Sequence, residues 1–298
     1  MTACDLSSPL LDLLDLPGVR EGVEQAREAC TQLRWHQALR RRIPEAAAES
    51  RVRGAWSSAD LDGARLPVAS VRDVVRGALS WPEQPDPAER VARSAVLATL
   101  EAEHLVRSGV PARQLLARLH TAAAGAGGGA GGAAAGAGAG DARADAQDGV
   151  GRPRSGDQAC LELTDLGPVP TGPALETRLA GLVELMEAPP EVPAALVSAL
   201  VHAEVAVLRP FGSGNALVAR AAERVLVQRR GLDATGVAVP EVGHRAVGPA
   251  AYVGALAGYA QGSADGVALW LRHATAAYVA GAAEGTRIAD AVLAGRLS

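Results

Sequence analysis

The sequence predicts an all-α protein on three observations. Apolar residues recur at helical spacing through most of the 298 residues, Pro and Gly stand where helices would start and stop, and only a short stretch, 159–173, reads as extended. A composition of 48% hydrophobic and 21% charged residues suits a soluble globular chain with one large core or two modest ones.

Residues 20–56 carry apolar and small side chains among Arg and Glu, with Pro44 and Gly54 as punctuation, so two or three amphipathic helices are expected there. Trp35 and Trp56 read as packing residues. From Asp86 to Gly109 the pattern is helical, with Pro87 in the first turn and Gly109 as the C-cap, and a shorter helix follows over 111–120. Residues 121–140 are almost only Ala and Gly and lead into the polar run 141–148. Such a segment buries too little side-chain surface to offset its ordering entropy, so 121–157 is read as a disordered, low-complexity insertion. Beyond it come a short flap or hairpin over 159–173 and helices over 173–186, 193–208 and 216–230. The helix over 193–208 is apolar nearly all round, as a buried core helix is, and its two polar residues, His202 and Glu204, need partners. These segments give an N-terminal helical region, 1–85, and a core, 86–285, interrupted by the insertion.

Composition narrows the partners. A net charge of −4 gives no global drive toward nucleic acid or anionic lipid. Cys4, Cys30 and Cys160 lack any CxxC spacing, which argues against a disulfide framework or a cysteine zinc site. The first residues have no basic region, and Asp12 and Asp15 interrupt their apolar run, so no signal peptide is expected. No run reaches the roughly 18 apolar residues of a membrane span, and the expected compartment is the cytoplasm.

One segment stands apart. Arg209-Pro-Phe-Gly-Ser-Gly-Asn215 holds both the one Phe and the one Asn of the chain and links two predicted helices. A Gly-rich loop opening a helix presents free N–H groups and the positive end of the helix dipole, which bind anions such as phosphate. Arg220 lies one turn further on, within reach of the same anion. A helix rather than a strand precedes the loop and the chain has no Lys, so this is not a P-loop. The match to GxGxxG at Gly127, Gly129 and Gly132 is a product of the Gly/Ala tract and lacks the strand that a dinucleotide site needs.

The segment resembles the core motif of the Fic (Fido) family, HPFx(D/E)GNGRxxR, at Pro210, Phe211, Gly214, Asn215 and Arg220. His202, seven residues ahead of the motif, and the stretch from Tyr252 to Leu271 extend the likeness. It implies a Fic-type helical bundle with a short flap, an ATP site at Gly212, Ser213, Gly214, Asn215 and Arg220, and a family activity of AMP transfer to a protein hydroxyl. The departures matter as much. Arg209 stands where the family has its catalytic His, and a guanidinium has no acceptor with which to take a proton. Ser213 replaces the acidic magnesium ligand, which puts magnesium binding in doubt. Ala216 and Leu217 replace a Gly and an Arg of the anion-binding turn.

A second likeness lies upstream. Many Fic proteins carry an inhibitory helix, (S/T)xxxE(G/N), whose Glu pairs with the last motif Arg. Residues 57–66 resemble it at Ser58 and Gly63, with Asp62 in the Glu position. A direct pair with Arg220 would need closer helices, because Asp is one methylene shorter.

Three readings follow. The leading one is a Fic-fold protein with a degenerate nucleotide site, impaired in AMP transfer, acting as a binding or regulatory module with a protein partner. The second is an active transferase with a relocated base, His202 or His244. The third, an NAD-dependent oxidoreductase, rests only on the Gly/Ala tract.

Overall fold

The computed structural model describes residues 7–124, 149–155, 158–160 and 162–296, and among these the regular structure is entirely helical. The helices are α1 (Ser7–Asp12), α2 (Val19–Arg34), α3 (Ile43–Leu61), α4 (Val68–Val75), α5 (Pro87–Val106), α6 (Ala112–Ala124), α7 (Gly172–Met186), α8 (Ala194–Leu208), α9 (Asn215–Arg229), α10 (Pro240–Ala246), α11 (Pro249–Ala260) and α12 (Ala264–Leu293). Single 3-10 turns at Leu13–Asp15, Gln37–Arg40 and Thr164–Leu166 complete it.

Helices α8 and α9 pack against each other at the centre. In α8 only Ala194 and Glu204 escape full burial, and in α9 only Arg229 does, so both helices are enclosed on every side. Around them α5 and α6 cover α9, and α7 covers α8. The long α12 runs against α2, α10, α11 and α8. Glu204, the one polar residue of α8 near its edge, is satisfied by Arg178 at 2.9 Å and Tyr259 at 2.7 Å.

Local chemistry explains most of the boundaries. Asp86 caps α5 in a reciprocal capping box with Glu89, and Pro87 and Pro44 stand in first turns, where a missing N–H costs nothing. Several boundaries differ from the sequence reading. Helix α5 ends at Val106, short of Gly109. Gly54 lies inside α3 instead of ending a helix. A Cβ there would meet Arg224 Nη1 at 2.9 Å and the Glu241 carboxyl carbon at 3.2 Å, so the glycine makes room for a buried ion pair. Trp35 is 73% exposed and packs little, whereas Trp56 stacks under the Arg245 guanidinium at 4.0 Å and donates to Leu66 O.

Helix α6 runs through 121–124, and a helix, not a strand, leads toward Gly127, which removes the structural basis of the oxidoreductase reading. Residues 125–148 and 156–157 of the expected insertion lie outside the described residues. Its far end, 149–155, is held against the core, with Gly151 N–H donating to His120 Nδ1 at 2.9 Å. The expected flap over 159–173 contains no strand among its described residues and is an irregular segment around the turn at Thr164–Leu166.

Candidate functional site

The motif loop leaves α8 at Arg209, whose φ of 45° places an L-residue in the left-handed region. Such a conformation persists only when the surroundings hold it. Here the side chain does the holding. Arg209 is 1% exposed, and its guanidinium donates to Gly167 O at 2.7 Å, Leu163 O at 2.8 Å, Val207 O at 3.2 Å and Glu162 O at 3.3 Å. Burial lowers its pKa, yet guanidinium stays charged, and the hydrogen bonds of the cation all go to carbonyl oxygens while Glu162 adds a nearby opposite charge. Arg209 is therefore a clamp between the loop and the flap segment, and it has no acceptor atom to offer a reacting hydroxyl.

A second buried arginine, Arg154, doubles the clamp. It donates from Nε to Arg209 O at 2.8 Å and from Nη1 to Gln158 O at 2.8 Å, while its own N–H reaches Pro210 O at 2.7 Å. His120 stacks on Phe211 with ring centroids 4.0 Å apart and lies against the Ser213 backbone. Burial pushes His120 down to about 4, so it is neutral at pH 7.

Asn215 closes the loop on itself. Its Oδ1 accepts from Phe211 N–H at 2.9 Å and its Nδ2 donates to Phe211 O at 3.0 Å, while Gly214 takes a φ of 75° ahead of α9. The N-terminal end of α9 points at a carboxylate of the chain itself. Glu162 Oε2 accepts from Asn215 N–H at 2.8 Å and from Asn215 Nδ2 at 2.9 Å. Burial raises the Glu162 carboxyl above the usual range; Asn215 opposes that rise and the neighbouring charge of Asp62 adds to it.

One turn into α9, Arg220 is likewise engaged. It donates from Nη2 to Asp62 Oδ2 at 2.7 Å, from Nε to Ser58 Oγ at 2.7 Å, and from Nη2 to Ser58 O at 3.1 Å. Burial disfavours its charge, and Asp62 more than compensates, holding its pKa above the ordinary value. Ser58 lies in the last turns of α3 and is no N-cap; Asp62 follows that helix, and Gly63, at φ 87°, turns the chain away.

The structure thus brings together Ser58, Asp62, Arg220, Asn215 and Glu162. Gly212 and Ser213 form the outer tip of the loop, exposed and half-buried respectively, whereas Ala216 and Leu217 face the core. His202 and His244 do not reach the loop mouth. Both are wholly buried against Glu223, each with a ring nitrogen 3.0 Å from its carboxylate. Glu162, Arg154 and His120 carried no sequence signal, because each meets the motif across a long separation in the chain.

These residues do not fit a magnesium-bound triphosphate as they stand. The first N–H of α9 and the motif arginine each already hold a carboxylate, and Ser213 is a weak ligand for a hard cation.

No family model matches the sequence, and no curated protein does either. Solved structures do match. Fic-1 (residues 134–508) of C. elegans superposes with a TM-score of 0.65 at 15% identity, over 97% of this chain and 76% of that one. A Fic family protein from Desulfovibrio desulfuricans G20 gives 0.61 at 17% identity, over 90% and 74%. A Fic domain containing signaling protein from Bacteroides thetaiotaomicron gives 0.58 at 11% identity, over 90% and 98%. At such identities the likeness is one of architecture, and with the central α8, motif loop and α9 already in place it establishes that this chain has the Fic fold.

Proposed function

We propose that the protein is a Fic-fold module impaired in AMP transfer, acting by binding or regulation in the cytoplasm through a protein partner. The observation that carries this reading is Arg209. The side chain at the position of the family's proton acceptor is a buried cation, committed to four carbonyls. Loss of the base alone would leave a nucleotide site. Here Glu162 and Asp62 also stand where phosphate charge would be received, one on the α9 N-terminus and one on Arg220.

The test is transfer of labelled AMP by the intact chain, to itself and to proteins of a cell extract, together with isothermal titration with ATP with and without magnesium. No transfer, and ATP binding that is weak and indifferent to magnesium, are expected. Transfer that requires Arg220 would overturn the reading and favour an active enzyme.

A further inference from the structure

The core behind α9 contains a group of side chains that the motif does not use. His202 on α8, Glu223 on α9 and His244 on α10 converge with all three side chains buried. Glu223 Oε2 lies 3.0 Å from His202 Nδ1 and 3.0 Å from His244 Nε2, and the three atoms lie within 4.8 Å of one another. We propose that His202, His244 and Glu223 form a binding site for a divalent transition-metal ion, of the class of zinc, cobalt and iron(II), which fastens α8, α9 and α10 together.

Three features support a cation over a purely hydrogen-bonded triad. The first is an unmatched atom. His244 Nε2 makes a well-directed hydrogen bond to Glu223, whereas His202 Nδ1, also 3.0 Å from that carboxylate, is not aligned for one and has no directed hydrogen bond to any other group. Leaving a buried polar atom unmatched costs about 1–3 kcal/mol, whereas a metal accepts lone pairs from all three groups.

The second feature is the outer shell. Ligating residues are normally held by a hydrogen bond on their other heteroatom. Each of the three has one: Tyr252 Oη on His202 Nε2 at 2.7 Å, His273 Nε2 on His244 Nδ1 at 3.1 Å, and Tyr278 Oη on Glu223 Oε1 at 2.8 Å. With protons on His202 Nε2 and His244 Nδ1, both inner nitrogens keep a lone pair available to a metal, and with the Glu223 oxygen they lie within 4.8 Å of one another. The third feature is geometric. Atoms 3.0 Å apart subtend roughly 90° at an ion about 2.1 Å from each, as neighbouring ligands do. Two imidazoles and one carboxylate select a borderline transition ion over magnesium or calcium. This site lies behind the motif loop and is linked to it through Tyr252 Oη, which also accepts from Arg220 Nη1 at 3.4 Å. Burial of the ligands implies that the ion is taken up as α10 docks during folding.

The test uses the intact chain, unfolded in guanidinium with chelator and refolded with or without cobalt(II) or zinc. Expected are close to one bound ion per chain by mass spectrometry, visible d–d absorption for the cobalt form, and a melting temperature several degrees above that of the metal-free chain. Glu223→Gln and His244→Asn should each lose at least about tenfold in cobalt affinity. His104→Ala, on the exposed face of α5, should bind as the parent does. A refolded parent chain, native by circular dichroism, that binds under a tenth of an equivalent of either metal would overturn the proposal, and this needs no variant to fold. Cobalt absorption undiminished in Glu223→Gln would overturn it as well.

Discussion

Asp62 Oδ2 lies 2.7 Å from Arg220 Nη2, so the shorter acidic side chain does reach the motif arginine. The approach is made possible by the place of Asp62 directly after α3, whose last turns already touch Arg220 through Ser58 Oγ and Ser58 O. Three acceptors from one helix end thereby surround a guanidinium that is itself fully buried.

Replacing Asp62 separates its structural part from a regulatory one. Asp62→Asn should lower stability by about 1–3 kcal/mol in urea unfolding at neutral pH, since Arg220 would retain only Ser58 and Tyr252. If Asp62 also bars phosphate, the variant should bind ATP at least tenfold more tightly than the parent by titration calorimetry. Equal affinity in the two would remove the regulatory role.

Arg209→Met tests the clamp. Methionine fills much of the volume but leaves Gly167, Leu163 and Glu162 carbonyls without their donor, and it removes a buried charge. A loss of about 2–3 kcal/mol is expected, with faster proteolysis across 158–171. Unchanged stability and protection would mean that the flap segment is held by other contacts, with Arg154 the first to examine.

Much of this architecture was legible in the sequence, and the reasons divide cleanly. Helix α8 could be read because a helix apolar on every side has one stable place, the core. The pairing of Asp62 with Arg220 was implied by the likeness of residues 57–66 to the family's inhibitory helix. Glu162 could not be read. Its role depends on a turn of irregular backbone that brings it to Asn215, 53 positions away, and no local periodicity encodes such a meeting. The burial of Arg209, 1% exposed, could not be read either. Its four carbonyl partners come from backbone, which leaves no trace in side-chain pattern.

Glu162 predicts a pH dependence. Its folded pKa is raised above the ordinary value of 4.5, so between the unfolded and folded values the folded chain binds more protons. Whatever stability this group contributes is therefore fully present below about pH 4.5 and is lost as pH rises through the raised folded value. Glu162→Gln keeps an acceptor for Asn215 and cannot ionise. Denaturant unfolding of the two proteins from about pH 5 to 8 should show stability declining less steeply in the variant. A parallel pair of curves would show that the carboxyl titrates normally.

The last prediction concerns restoration of chemistry. Arg209→His with Ser213→Asp returns a proton acceptor and a metal ligand to the positions the family motif gives them, and on motif alone it should be sufficient. The structure argues that it is not, for two reasons. Arg209 is an internal clamp, so the double variant should be less stable than the parent. Glu162 and Asp62 would also still hold the α9 N-terminus and Arg220 against phosphate. Adding Ala216→Gly and Leu217→Arg would worsen folding, since Leu217 is only 3% exposed and an arginine there would bury a further charge. The productive addition is Glu162→Gln with Asp62→Asn. That quadruple variant should gain magnesium-dependent self-modification with labelled ATP, while the double variant should show none. Robust transfer by the double variant would mean that the internal carboxylates are no barrier. A folded quadruple variant that binds no ATP would confine the likeness to the scaffold.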